Sequence, residues 1–435
     1  MLGGRLRGAL AFLATVAVAE AAVLLLLPRG GVIDPAPVDV SSYFSAAQID
    51  RARAFRGPQL VIFAATLLVQ GGLLLWLSRR PAVVRSLIAR GRVGRRPVLA
   101  SALVGAALSV AVAAAILPLR ALARQRSLDV GLVTQSWLAW AGDVLKGWGI
   151  AAVTGAVVAA VGVALLRRSP RTWWLPGSAV LVALGVAFTL AGPVVLDPLF
   201  NRFTPVPAGQ LRADVLDLAR RANVDVGGVY VVDASRRTTA VNAYVTGLGA
   251  TKRVVLYDTL VEDFTRAQRR LVIAHELGHV HQRDVPRGLL WLALVAPLAL
   301  ITVGRFGRAL SGGAADAAGP WRPGPEAVPA LALGLAVMTF AVTTVSNQLS
   351  RRVEARADSF ALRLTREPEP FISFERRIAV RNVSDPDPPG WERFLLSTHP
   401  SAVERIGAGE AYRRGATRRP SAAAAPSRRR TRAGS

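Results

Sequence analysis

Apolar residues fill seven stretches of the chain almost without interruption, at 8 to 27, 59 to 77, 98 to 118, 149 to 166, 173 to 195, 286 to 303 and 328 to 347. A helix needs about 20 such residues to cross roughly 30 Å of hydrocarbon, so each stretch is predicted to span a membrane. The fourth is short and rich in Gly, Ala and Val, and the fifth carries Pro176 and Pro193, which predict a kink. Counts of six or eight therefore stay open beside seven. Arg5 and Arg7 precede the first stretch as they would in a signal peptide, but no A-x-A-like site closes it and six more spans follow. It is read as a retained span.

The polar intervals carry a different pattern. Residues 196 to 284 are mixed: Leu211 to Ala222 has helical periodicity, and three β-rich runs follow at Val229 to Val232, Ala240 to Val245 and Arg253 to Tyr257. Turn-forming residues separate the runs, which predicts a small antiparallel sheet. Leu260 to Asp284 reads as one helix, 304 to 327 as an irregular Gly/Ala/Pro connector, and Val328 to Leu364 as a long helix leaving the membrane near Asn347. The organisation expected is spans one to five over 1–195, a soluble α+β segment over 196–284, spans six and seven over 285–347, and a second soluble segment over 348–410. An Arg-rich tail, expected to be disordered, follows over 411–435.

Composition narrows the classes of function. The 54 Lys and Arg exceed the 28 Asp and Glu by 26, yet 52% of the residues are hydrophobic. Arginines at the ends of long apolar runs are what a lipid bilayer selects, because headgroup regions favour them. The charge thus predicts a bilayer as partner and no nucleic acid. With no cysteine in the chain, disulfides and thiolate metal sites are excluded, and any metal must be held by His and carboxylate.

Three of the four histidines fall between 275 and 281. The run His275-Glu276-Leu277-Gly278-His279 is an H-E-x-x-H pattern in a helical segment. Histidines at i and i+4 share a helix face and reach one Zn2+ ion, while the intervening Glu276 stays off the metal as general base. Zinc lowers the pKa of a bound water toward about 7, so Glu276 takes its proton and later returns it to the leaving amine. A catalytic zinc needs a third ligand, and Glu354, in Glu354-Ala355-Arg356-Ala357-Asp358, is the candidate. Asp358, four residues on, shares its face and is placed to accept a hydrogen bond from a ligating imidazole. Two histidines on a surface helix, and two solvated acids among arginines, are the plain alternatives. His281 is read as solvated.

Asn347 to Asp358 (N-Q-L-S-R-R-V-E-A-R-A-D) resembles the N-x-x-S-R-x-x-E-x-x-A-D signature of the integral-membrane zinc metalloproteases typified by the type-1 CAAX prenyl endopeptidase. Gln135 to Lys146, Pro198 to Pro207, Asn242 to Leu260 and Thr398 to Ile406 are similar to that family in the same order. The resemblance implies a mainly α fold: a bundle of about seven transmembrane helices enclosing a chamber, with a small α+β zinc-metalloprotease domain. It implies one zinc per chain, and a peptide or membrane-associated protein as substrate. It also gives Asn242 the role of receiving substrate backbone at a sheet edge, and His399 and Arg405 that of steadying the carbonyl oxyanion. Oligomeric state is not legible.

Orientation divides the signals. The resemblance places the active site at the cytosolic face of a cell membrane, and the Arg-rich tail agrees. The loop 78 to 97 has seven arginines, which by the positive-inside rule puts the opposite end in the cytoplasm. The expectation adopted from the resemblance is a cytosol-facing site. Two other functions compete with peptide hydrolysis: a transporter or channel with a structural metal site, and a membrane-anchored binder of acidic lipid or nucleic acid. The chain shows no repeated half-structure of the kind transporters have.

Overall fold

A computed structural model describes residues 2–247, 252–311 and 320–417. Seven of its helices are long and apolar enough to cross a membrane. In chain order the first spans are α1 (Leu2–Leu26), α2 (Ala46–Ser78), α4 (Pro97–Asp129), α5 (Trp137–Arg168) and α6 (Trp174–Ala191). After a soluble segment come α10 (Asp284–Leu310) and α11 (Val328–Thr365). A short helix, α3 (Pro81–Arg90), lies between the second and third spans.

Several helices overshoot the predicted apolar stretches because polar capping, rather than hydropathy, sets their ends. Ser45 and Gln48 form a reciprocal capping box that starts α2 thirteen residues ahead of its apolar run, and Ser136 caps α5. Prolines at the first turn open α3 and α4, where a missing N–H costs nothing. The predicted kink in the fifth span is present: at Pro193 the helix passes into a wider turn over Gly192–Leu196. The connector predicted from residue 304 starts later, since α10 runs to Leu310; residues 312–319 lie outside the described residues.

The spans stand around a chamber. Few residues of α2, α4, α5 and α6 are buried within the protein, and Leu138, Leu145, Val153 and Leu68 all lie open. Where helices do meet, small residues set the distance. Gly105 on α4 and Gly155 on α5 approach so closely that a Cβ on Gly105 would fall 2.2 Å from the Gly155 carbonyl oxygen.

The soluble part is built on a four-stranded sheet of order β1-β2-β4-β3: β1 Phe203–Pro205, β2 Gly228–Val232, β3 Ala243–Thr246 and β4 Arg253–Tyr257. The predicted sheet was wholly antiparallel and lacked β1. The observed one is mixed, because the β3–β4 hairpin folds back so that β4 enters between β3 and β2 and runs parallel to β2. β3 is left at the edge. Around the sheet lie α7 (Gln210–Arg221), α8 (Asp258–Asp263), α9 (Arg266–His281), α12 (Pro368–Arg381), α13 (Gly390–Leu396) and α14 (Ala402–Thr417). Their shared core holds Leu218, Leu256, Leu260, Leu271, Leu277 and Leu362.

The stretch Leu260 to Asp284, expected as one helix, is three. Phe264 is extended, Thr265 caps α9 in a second capping box with Gln268, and Arg283 adopts a left-handed conformation before α10 begins. The tail expected from residue 411 is helical as far as Thr417, and the rest of it lies outside the described residues.

Candidate metal centre

α9 carries the H-E-x-x-H pattern, and α11 crosses it closely. Gly278 makes the crossing close: a Cβ there would stand 3.0 Å from the Phe360 ring. Glu354, about two turns along the emerging part of α11, is thereby brought to both histidines. His275 Nε2 lies 3.1 Å from His279 Nε2 and 3.2 Å from Glu354 Oε2, and His279 Nε2 lies 3.6 Å from Glu354 Oε1. One ligand atom from each of the three residues lies within 4.8 Å of the other two.

The donor set fits a zinc ion. Tetrahedral zinc with Zn–N near 2.0–2.1 Å separates its ligand nitrogens by roughly 3.4 Å, close to what the two imidazoles show. Two nitrogens facing each other beside a carboxylate need a cation between them. The electrostatics agree: burial works to lower the pKa of both rings, yet acidic partners overcome it, lifting His275 well above and His279 to about 9. A divalent cation would take the place those protons hold.

Each imidazole is fixed from behind. His275 Nδ1 donates to Asp358 Oδ1 at 2.8 Å, as the spacing on α11 predicted. Asp358, 1% exposed, also takes two hydrogen bonds from Arg405, from Nε at 2.8 Å and Nη2 at 2.5 Å. The third terminal nitrogen, Arg405 Nη1, pairs with Glu375 at 2.9 Å. All its nitrogens face these two acids, and Arg405 also lines the cavity into which Glu276 projects.

The second imidazole has a partner the sequence reading missed. His279 Nδ1 donates to Asp284 Oδ2 at 3.0 Å, and Asp284 is held in turn by Arg287 and by Arg356 at 2.5 Å. Its signal was faint: Asp284 stands five residues beyond His279, and only the left-handed turn at Arg283 swings it back. Glu375 was also missed. It shares one face of α12 with Phe371, Phe374 and Ile378, so an acid inside an apolar stripe was the available sign. Burial raises its carboxyl to about 7 although Arg405 pulls it down.

Glu276 projects into a cavity of about 600 Å³ that His275, Asn242 and His399 also line. No described residue hydrogen-bonds its carboxylate, and burial raises its pKa while the two histidines oppose the rise. Asn242, expected on the strand itself, immediately precedes the edge strand β3. His399 Nε2 lies 3.3 Å from Glu354 Oε2, and its Nδ1 bonds Thr398. His281 is exposed but not free: Nδ1 donates to the Ala222 carbonyl and its ring stacks on Phe360.

Comparison with known proteins gives this geometry a family. Residues 205–412 match the family model for Peptidase family M48, and residues 64–202 that for the CAAX prenyl protease N-terminal region, five membrane helices. A metalloprotease of Bacillus subtilis, YhfN, is 33% identical over 67% of this chain and 68% of its own length. The chain belongs to peptidase family M48. A CAAX prenyl protease 1 homolog of Oryza sativa is 31% identical over 52% of the chain and 53% of its own length. The crystal structure of S. mikatae Ste24p shares the fold, with a TM-score of 0.74 and 19% identity over 94% of this chain and 99% of that one.

The M48 chain is thus a multi-pass membrane metallopeptidase of the CAAX prenyl protease-like kind, and the transporter and lipid-binder readings fall away. The first span, α1, and the start of α2 lie outside both matched regions.

Proposed function

We propose that this M48 chain is a zinc endopeptidase that binds one ion per chain through His275, His279 and Glu354 and cleaves peptide bonds of segments reaching it from the membrane. The observation that carries the reading is the convergence of those three side chains beside a half-buried Glu276 that no described residue hydrogen-bonds. A zinc ion held there supplies Lewis-acid polarisation and a water of lowered pKa.

Glu276 is the general base. Its buried carboxyl is more basic than a solvated one, and this matches it to taking a proton from water near neutral pH and delivering it to the leaving amine. Asn242, at the rim of edge strand β3, receives the backbone of an extended substrate. His399, exposed to the cavity and next to Glu354, donates to the carbonyl oxygen as charge develops. Arg405 acts through Asp358 by keeping His275 in the tautomer that presents Nε2. Several relatives are named for CAAX prenyl processing; the substrate class assigned to this chain is a flexible peptide segment.

The test is Glu276→Gln. Purified in detergent, the variant retains zinc by metal analysis and loses peptide hydrolysis by about 10²–10⁴-fold, the usual weight of a general base. Mass spectrometry of chains held by the variant names the substrate. Full hydrolysis by the zinc-loaded variant would falsify the reading.

A further inference from the structure

The helices sort the charges of the loops into two ends with opposite character. α10 starts at the metal centre and α11 returns to it, so the end of α10 and the beginning of α11 mark the far end of the molecule. From Val328 to Glu354, α11 rises roughly 39 Å at about 1.5 Å per residue, enough to cross a whole bilayer. One apolar cluster joins that far end: Leu74 of α2, Val84 and Ile88 of α3, Val163 of α5, Val328 of α11 and, at its edge, Leu310 of α10.

The loops gathered there are basic. All seven arginines from Arg79 to Arg96 are exposed, and none forms an ion pair with a described residue. Arg168, Arg171, Arg305 and Arg322 are exposed at the same end. Over 2–10, 79–96, 164–178 and 304–327 the described residues include a single acid, Glu326. α3 adds geometry: its buried face, Val84 and Ile88, packs on the bundle, and its basic residues point outward.

The metal end is different. Several of its span-flanking cations are paired with protein acids: Arg53 with Asp385, Arg56 with Glu392, Lys146 with Asp143, Arg352 with Asp34 and Arg356 with Asp284. The soluble segment between α6 and α10 is longer than the loops that the charge rule governs, and such segments cross membranes regardless of their charge.

We infer that the arginine-lined end sits in the anionic headgroups of the cytoplasmic leaflet, so that the metal centre opens on the opposite, extracytoplasmic side. This reverses the orientation implied by the resemblance. Arginines in short loops retain a chain end in the cytoplasm, and among the described residues of these loops only Glu326 offsets their attraction to anionic lipid. Combined with the proposed peptidase activity, it assigns as substrates the extracytoplasmic segments of membrane or exported chains. The orientation itself does not depend on that activity.

The absence of cysteine in the chain makes the test direct. Ser86→Cys, exposed on α3, and Ala208→Cys, exposed ahead of α7 in the soluble segment, are made separately in the full chain. Each is expressed in a bacterial host and treated with a membrane-impermeant maleimide in right-side-out and in inside-out vesicles. Ala208→Cys is expected to label in right-side-out vesicles and Ser86→Cys only in inside-out ones. The reverse pattern, or labelling of both sites from the same side, overturns the inference. Changing Arg79, Arg80, Arg85, Arg90 and Arg92 to Glu tests the cause: at least half of the Ala208→Cys population should change sides, and unchanged labelling refutes the role given to the arginines. Hydrolysis is not the readout, so failure here leaves the peptidase assignment standing, and the converse holds.

Discussion

Replacing Asp358 by asparagine changes one oxygen to an amide nitrogen without changing the shape of the side chain, at a position 1% exposed. The carboxylate accepts three hydrogen bonds, from His275 Nδ1 at 2.8 Å and from Arg405 at 2.8 and 2.5 Å. An amide presents one acceptor oxygen and an NH2 group, so a donor is forced against either the imidazole N–H or the guanidinium. Loss of the partner behind a ligating imidazole weakens metal affinity by about 10–100-fold, which is about 1.4–2.7 kcal/mol. Folding suffers as well. Removing one partner of a buried ion pair costs about 3–5 kcal/mol, but Arg405 keeps Glu375 at 2.9 Å, so the lower part of that range is expected. Competition with a chromophoric zinc chelator in detergent reads the first effect, and thermal unfolding of the metal-free protein reads the second. A variant that stays folded and binds zinc within about twofold of the parent would refute the argument that Asp358 orients His275.

Glu375→Gln is expected to alter the pH dependence of stability. The Glu375 carboxyl titrates at about 7 in the folded chain against the ordinary 4.5, so between these values the folded state binds more protons than the unfolded one. Stability contributed at this position is therefore full below about pH 4.5 and lost as pH rises through about 7, by up to about 3 kcal/mol. Melts at pH 5 and pH 8 should show the parent losing ground to the variant at the higher pH; a gap that does not move with pH sinks the assignment. Gly278→Val drives a branched side chain into the Phe360 ring, where even a Cβ reaches 3.0 Å. Overpacking of this kind costs about 1–3 kcal/mol, and by prising α11 from α9 it should lower zinc affinity although no ligand has changed, which a zinc titration checks.

What the sequence determined by itself is whatever depends on spacing within one element. Seven apolar stretches of spanning length, two histidines one turn apart and an acid pair one turn apart on a second helix are local facts, and the structure holds them all. Element ends were less legible, since capping by Ser45 and Thr265 and the left-handed turn at Arg283 overrode hydropathy. The sheet order was not legible either, because a parallel partner for β2 is decided by where the β3–β4 hairpin folds. Tertiary structure alone decided the site's outer ring. Asp284 returns to His279 through a chain reversal, and Arg405 turns its nitrogens to Asp358 and Glu375, an arrangement in which three buried charges find partners. It also decided which loops share an end of the molecule. A run of arginines at 79–96 is visible in the sequence, but that it lies with Arg168, Arg171, Arg305 and Arg322, a bilayer's thickness from the metal ligands, follows only from how the helices pack.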